Sequence, residues 1–150
     1  MSRLNWTQDL VTGHRVIDMQ HQELIDLINE LDSEVGGNAE RNNLRGILQR
    51  LNQYVLFHFA HEEGMMVQRK VDAPHMQMHL QQHADFAEQV RLNMRQFEQM
   101  SVVDKELLGS LLAYLHQWLV DHIMGTDKLL SQLLGRPASA VPPAPTFMKP

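Results

Sequence analysis

The sequence predicts an all-α protein: an up-down-up-down four-helix bundle with an N-terminal arm and a disordered, proline- and alanine-rich C-terminal tail. Three observations carry that expectation. Four long runs repeat their apolar residues every three to four positions, the period of one helix face. The gaps between runs are short and hold Gly, Pro, Ser or Asp, and no stretch shows strand-like alternation. Each run also carries at least one potential metal ligand, and a bundle interior is a place where facing helices can offer such groups together.

Residues 1 to 15, with Trp6, Leu10 and Val11 among polar neighbours, read as an extended arm packed against the domain. The first helix follows from Ile17 to Val35, with Leu24, Ile25, Leu27, Ile28 and Leu31 on its inner face and His21 near its start, and Gly36-Gly37 ends it. Asn38 is a candidate cap for the second helix, whose stripe Leu44, Ile47, Leu48, Leu51, Tyr54, Val55, His58, Phe59 and Glu62 runs on to about Lys70. Pro74 suits the start of the third helix, expected to reach about Met100 with Met76, Leu80, His83, Phe86, Val90, Met94 and Phe97 on its apolar side. Ser101 to Asp104 supply a break and a cap. The fourth run, from Leu107 to Leu133 through Trp118, His122 and Leu129, stops at Gly135-Arg136-Pro137.

A chain of 150 residues and 17.3 kDa suits one domain, expected over residues 1–135, with 136–150 as a flexible tail. The absence of cysteine excludes disulfides, thiolate metal sites and iron–sulfur clusters, leaving imidazole and carboxylate as metal chemistry. That points to iron or manganese, with zinc and copper as alternatives. A formal charge of −5 and the lack of a basic block argue against nucleic acid and anionic membranes. Without an apolar leader or a bilayer-length segment, the expectation is a cytoplasmic protein, monomeric by preference.

Seven donors stand out: His21, His58, Glu62, His79, His83, His122 and Asp127. His58/Glu62 and His79/His83 are four apart and share a helix face. His122 and Asp127 are five apart, about 140° around an ideal helix, and so need a broad inner face, a carboxylate straddling two metals, or a local π-bulge. A single zinc has no use for so many ligands. Two six-coordinate irons do: five imidazoles, two bridging carboxylates and a bridging oxide or hydroxide fill all their positions but one, which a diatomic ligand could take. No motif for a substrate pocket or an electron route accompanies these residues, so a binder is favoured over an oxygenase.

Taken together, Trp6, TGHRVIDMQHQEL at 12–24, HFAHEEGMM at 58–66, HLQQHADF at 79–86 and WLVDHIMGTD at 118–127 closely resemble the bacterial hemerythrins from about Trp6 to Leu134. The resemblance implies two iron ions, one held by His79, His83 and His122 and the other by His21 and His58, with Glu62 and Asp127 bridging them. It implies reversible dioxygen binding on the iron with two histidines, next to an apolar pocket of Leu24, Phe59, Trp118, Leu119 and Ile123. Nitric oxide is a further expected ligand, and an oxidase or a signalling protein an expected partner. The chain departs from the family pattern at His14, where an aliphatic residue is usual, and in a connection before His79 about two residues longer than usual. His75, His79 and His83 form a double ladder that admits the register 75/79 as well as 79/83; Pro74 before His79 and Phe86 after His83 favour the latter.

Blander readings apply elsewhere. His14, His61, His75 and His116 are expected to be solvated or to lie behind the ligands, and the methionines to be adaptable packing. Gln20, Asp18 and Glu63 are candidates to support ligand histidines. The competing functions are a di-iron oxidase, peroxidase or ferroxidase, against which the scarcity of paired Glu-x-x-His motifs speaks, and a histidine phosphotransfer bundle, which needs one exposed histidine rather than a cluster.

Overall fold

The computed structural model describes residues 4–38 and 40–135, all helix and connection with no strand among them. The expected tail, residues 136–150, lies outside the described residues. Helices α1 (Arg15–Gly36), α2 (Arg41–Gln68), α3 (Ala73–Gln99) and α4 (Lys105–Asp121) form the bundle, and α4 continues through a π-helical segment (His122–Asp127) into α5 (Lys128–Gly135). Short links reverse the chain each time. α1 packs on α2 and α4, and α2 on α3. No described helix is long and apolar enough to cross a membrane.

Local chemistry sets most of the boundaries. Asp104 accepts from the backbone N–H of Glu106 and Leu107 at 3.0 and 3.1 Å, and Asp72 from that of His75 at 3.1 Å, so two orphan helix starts are capped by carboxylates. At the start of α1, His14 Nδ1 accepts from Ile17 N–H at 3.4 Å. Asn38 does not cap α2: the helix begins at Arg41, its N-cap is Glu40, and no side chain closes it. Asn38 stands two residues before that N-cap.

The arm is tied down rather than loose. Asn29 accepts from Leu4 N–H at 2.9 Å and donates to its carbonyl at 2.7 Å, which seats Leu4 and Leu10 in the core. Asp18 gathers Thr12 N–H, Thr12 Oγ and Gly13 N–H at 2.9, 2.7 and 3.2 Å, in a turn where Gly13 takes φ +94°, a left-handed value that costs other residues a strained backbone. Asp18 therefore holds the arm and supports no ligand histidine.

The interior is layered. A large apolar core runs from Leu4 through Leu24, Leu51 and Leu112 to Ile123, and a smaller one of Ile17, Met66, Leu130 and Leu134 closes the other end. On α1 and α2 the buried His21, His58 and Glu62 fall at the boundary between these two clusters, so apolar packing flanks the polar layer on both sides. Two expected core positions face solvent: Leu80 on α3, one residue off the His79–His83 line, and Leu129. The wider π turn delays the phase of the last helix, so the inner line continues through Ile123, Asp127, Leu130 and Leu134, and Leu129 is left outside.

Candidate metal centre

All seven predicted donors meet in that layer. His21, His79, Glu62 and Asp127 have no exposed surface, and His58, His83 and His122 almost none. Their ligand atoms form two groups that could each hold a cation: Glu62, His79, His83 and His122, and His21, His58, Glu62 and Asp127. Glu62 belongs to both.

The carboxylates divide their oxygens between the two sides. Glu62 Oε1 lies 3.3 Å from His79 Nε2 and 3.1 Å from His83 Nε2, while its Oε2 lies 3.3 Å from His58 Nε2 and 3.8 Å from His21 Nε2. Asp127 Oδ1 lies 3.1 Å from both His79 Nε2 and His122 Nε2, and its Oδ2 is 2.7 Å from His21 Nε2. Between them the two carboxylates thus face three imidazoles on one side, His79, His83 and His122, and two on the other, His21 and His58. The π-helical segment makes this possible, since a five-residue separation brings His122 and Asp127 inward together only when the turn is widened. Of the three routes open from the sequence, the chain uses the π turn and the straddling carboxylate together. Of the histidine ladder, His79 and His83 turn their Nε2 atoms into the layer, while His75 sits one turn away and bonds through Nε2 to His79 Nδ1 at 3.0 Å.

The buried layer is unbalanced without a cation. The Nε2 atoms of His21, His79, His83 and His122 and all four oxygens of Glu62 and Asp127 are buried with no hydrogen-bond partner, although they approach one another closely. Converging buried polar atoms without hydrogen-bond partners are costly in protein, and coordination to a cation would satisfy them. The titration behaviour agrees. Burial and the neighbouring Asp127 push the Glu62 carboxyl well above its usual range, because two adjacent carboxylates cannot both ionise cheaply. Asp127 is held well below its own range: burial raises it, but the surrounding His122, His21 and His79 outweigh burial. Burial lowers His58 and His122, and takes His83 down to about 2. Burial also lowers His79, yet the Asp127 and Glu62 carboxylates carry it up to about 9. Protons thus stand where positive charge is wanted, and the donor set of imidazole and carboxylate suits iron, manganese or zinc.

Behind the donors lies a set of supporting side chains. Gln20 Oε1 pairs with His58 Nδ1 at 2.7 Å, and its Nε2 reaches His61 Nδ1 at 3.2 Å. Glu63 Oε2 accepts from His83 Nδ1 at 2.9 Å, and Gln82 Oε1 pairs with His122 Nδ1 at 2.7 Å. Gln20 and Glu63 were legible as candidates. Gln82 was not, because it lies forty residues from His122 on an adjacent helix and nothing in its local sequence marks it.

Beside the donors is a small cavity of about 10 Å³, as measured by the centres of a water-sized sphere, lined by Leu24, Ile28, Leu51, Val55, Phe59, Phe86, Trp118 and Leu119, with His58, His122 and Asp127 in its wall. Four of the five expected pocket residues are present. Ile123 is fully buried but is not part of the wall. Phe59 stacks on His83 at 3.8 Å between centroids, and Trp118 on His122 at 4.3 Å, so the aromatic walls also hold the imidazoles in place.

A helical bundle whose interior gathers seven buried metal-ligating groups is a cation-binding four-helix protein. The chain belongs to the family of the hemerythrin HHE cation binding domain, which it matches over residues 12–134. It is 33% identical over 129 residues to a bacteriohemerythrin of Pseudomonas aeruginosa, covering 85% of this chain and 78% of the relative. It is 30% identical over 126 residues to a hemerythrin-like protein of Naegleria gruberi, covering 84% of this chain and 89% of the relative. Among solved structures, wild-type hemerythrin superposes with a TM-score of 0.74 at 26% identity, over 90% of this chain and all of the other.

Proposed function

We propose that this chain binds dioxygen reversibly at a non-haem di-iron centre. One iron would be held by His79, His83 and His122 and the other by His21 and His58, with Glu62, Asp127 and an oxide or hydroxide bridging them. When bound, the two ferrous ions supply the electrons that dioxygen draws on and the single open coordination position. Family membership and the two groups of donors support the metal; the observation that carries the ligand is the small apolar cavity beside His58.

The chain's own residues do the rest. Leu24, Phe59, Trp118 and Leu119 would exclude water from the open position and so slow autoxidation of the iron. A cavity this small takes a diatomic ligand, dioxygen or nitric oxide, and turns away larger substrates, which favours binding over catalysis. The imidazoles must be neutral to bind, and burial keeps His58, His83 and His122 so. Near-complete burial of the same imidazoles disfavours phosphotransfer, which needs an accessible ring. Carrier, delivery to an oxidase, and sensing are all uses of such a site in a cytoplasmic protein.

The test is iron per chain with the visible spectrum of anaerobically reduced protein, exposed to oxygen and then purged with inert gas. Two irons and a charge-transfer band that appears and fades support the proposal. An irreversible change points to oxidase chemistry or rapid autoxidation, and protein that stays colourless after iron reconstitution removes the reading.

A further inference from the structure

The ring of His122 offers Nε2 to the centre only if its proton sits on Nδ1, and only if the backbone that carries it keeps its widened turn. One side chain on a different helix bears on both conditions. Gln82 Oε1, on α3, lies 2.7 Å from His122 Nδ1 and also accepts from Thr126 Oγ1 at 2.7 Å. A carbonyl oxygen has two lone pairs, so a single amide can serve both donors. His122 opens the π-helical segment and Thr126 is its penultimate residue, next to Asp127. The bonds therefore cross from α3 to both ends of the irregular turn.

We propose that Gln82 is a positioning residue that clamps the π turn through His122 and Thr126, fixing His122 with its proton on Nδ1 and its Nε2 lone pair toward the metal. The inference rests on the di-iron reading for its metal but not for its geometry. A threonine inside a helix ordinarily bonds back to its own helix, which loosens and bends it. Here the hydroxyl of Thr126 is committed to α3 instead. An unconstrained imidazole distributes its proton between the two nitrogens, and the form with the proton on Nε2 has no lone pair to offer the centre. Gln82 is only partly buried, so a carboxylate of the same length can stand in its place without the cost of full burial.

The experiment compares the full-length wild-type chain with Gln82→Leu, Gln82→Glu and Thr126→Val. Two readouts are taken: the ring-nitrogen NMR shifts of His122 in metal-free and Zn²⁺-loaded protein, and the rate at which a strong chelator strips Zn²⁺. Loss of a partner behind a ligand histidine typically costs about 10–100-fold in metal affinity, so Gln82→Leu should release one of its two ions faster by about that factor. In the same variant the His122 shifts should move from a single Nδ1-protonated form toward a mixture. Gln82→Glu restores both readouts, since its carboxylate accepts from both donors, and Thr126→Val shifts them in the same direction as Gln82→Leu but less.

Wild-type behaviour in Gln82→Leu overturns the proposal, and so does failure of Gln82→Glu to rescue, which would reduce Gln82 to a space-filling role. If Gln82→Leu does not fold, Thr126→Val and Gln82→Glu still decide: an unmoved His122 tautomer in Thr126→Val removes the clamp. If the wild-type chain binds no metal, the di-iron reading fails, and the tautomer of metal-free His122 still tests the clamp.

Discussion

Around His79, His83 and His122 every ring nitrogen that faces away from the centre has a partner, His75, Glu63 and Gln82 in turn, whereas around His21 and His58 only His58 has one, in Gln20. His21 Nδ1 is buried with no hydrogen-bond partner among the described residues. The three-histidine side is also braced by stacked rings, Phe59 on His83 and Trp118 on His122, while His21 meets only His58, edge-on at 4.8 Å. Outer partners orient a ligand and raise its basicity. A centre built this way would have one position assembled in advance and one that the metal itself must help to order, and the apolar cavity touches both, through His58 on one side and His122 on the other.

The strongest test of that division is Glu62, the residue both groups share. Glu62→Ala should bring iron per chain close to zero, measured by metal analysis after reconstitution, because it removes a ligand from both positions at once. Retention of two irons would break the assignment altogether. A smaller and more telling effect is expected from single histidines. His58→Ala should keep about one iron, held by the three-histidine side, and His83→Ala should keep less, since the remaining side lacks the supporting shell. The opposite ranking would reverse the comparison. In the intact protein, chelator should remove metal in two phases, the faster belonging to the position of His21 and His58.

How much of this was readable from the sequence depends on the range of each interaction. The helices were, because apolar period is a local signal that burial then enforces: Leu44, Ile47, Leu48 and Leu51 all lie inside. The donors were, because metal chemistry demands particular residue types at helical spacing and His58/Glu62 and His79/His83 supply it. Asn38 misled because a good capping residue says nothing about where the preceding glycines leave the chain. Leu80 and Leu129 misled because an apolar residue one step off the stripe is indistinguishable by pattern from one on it. Gln82 was out of reach for another reason: its bond to His122 on another helix exists only once the bundle has set their register, and Gln82 carries no local mark of that partner.

The smallest effect concerns the metal-free protein and sets His79 and Glu62 apart from the other buried imidazoles by the sign of a pH dependence. His58, His83 and His122 have folded pKa values below the ordinary 6.5, so the unfolded chain binds more protons than the folded one as pH falls through that value, and stability drops toward acid. These three come from both sides of the centre. His79 is opposite: its folded value of about 9 exceeds 6.5, so its stabilisation is complete below 6.5 and is lost as pH rises through 9. Glu62, also raised, adds to the alkaline loss, because its buried proton must leave or be retained at increasing cost. Below 6.5 the three imidazoles outweigh the single carboxyl. Thermal unfolding of metal-free protein should therefore be most resistant near pH 6.5 and decline on both sides. Loading with metal should abolish the alkaline decline, since a cation takes over from the protons on His79 and Glu62, and His79→Gln should shrink that decline in metal-free protein while leaving the acid limb. A metal-free protein whose stability rises from pH 7 to 9 would show that His79 and Glu62 do not hold their protons, and with that the reason for placing a cation beside them would weaken.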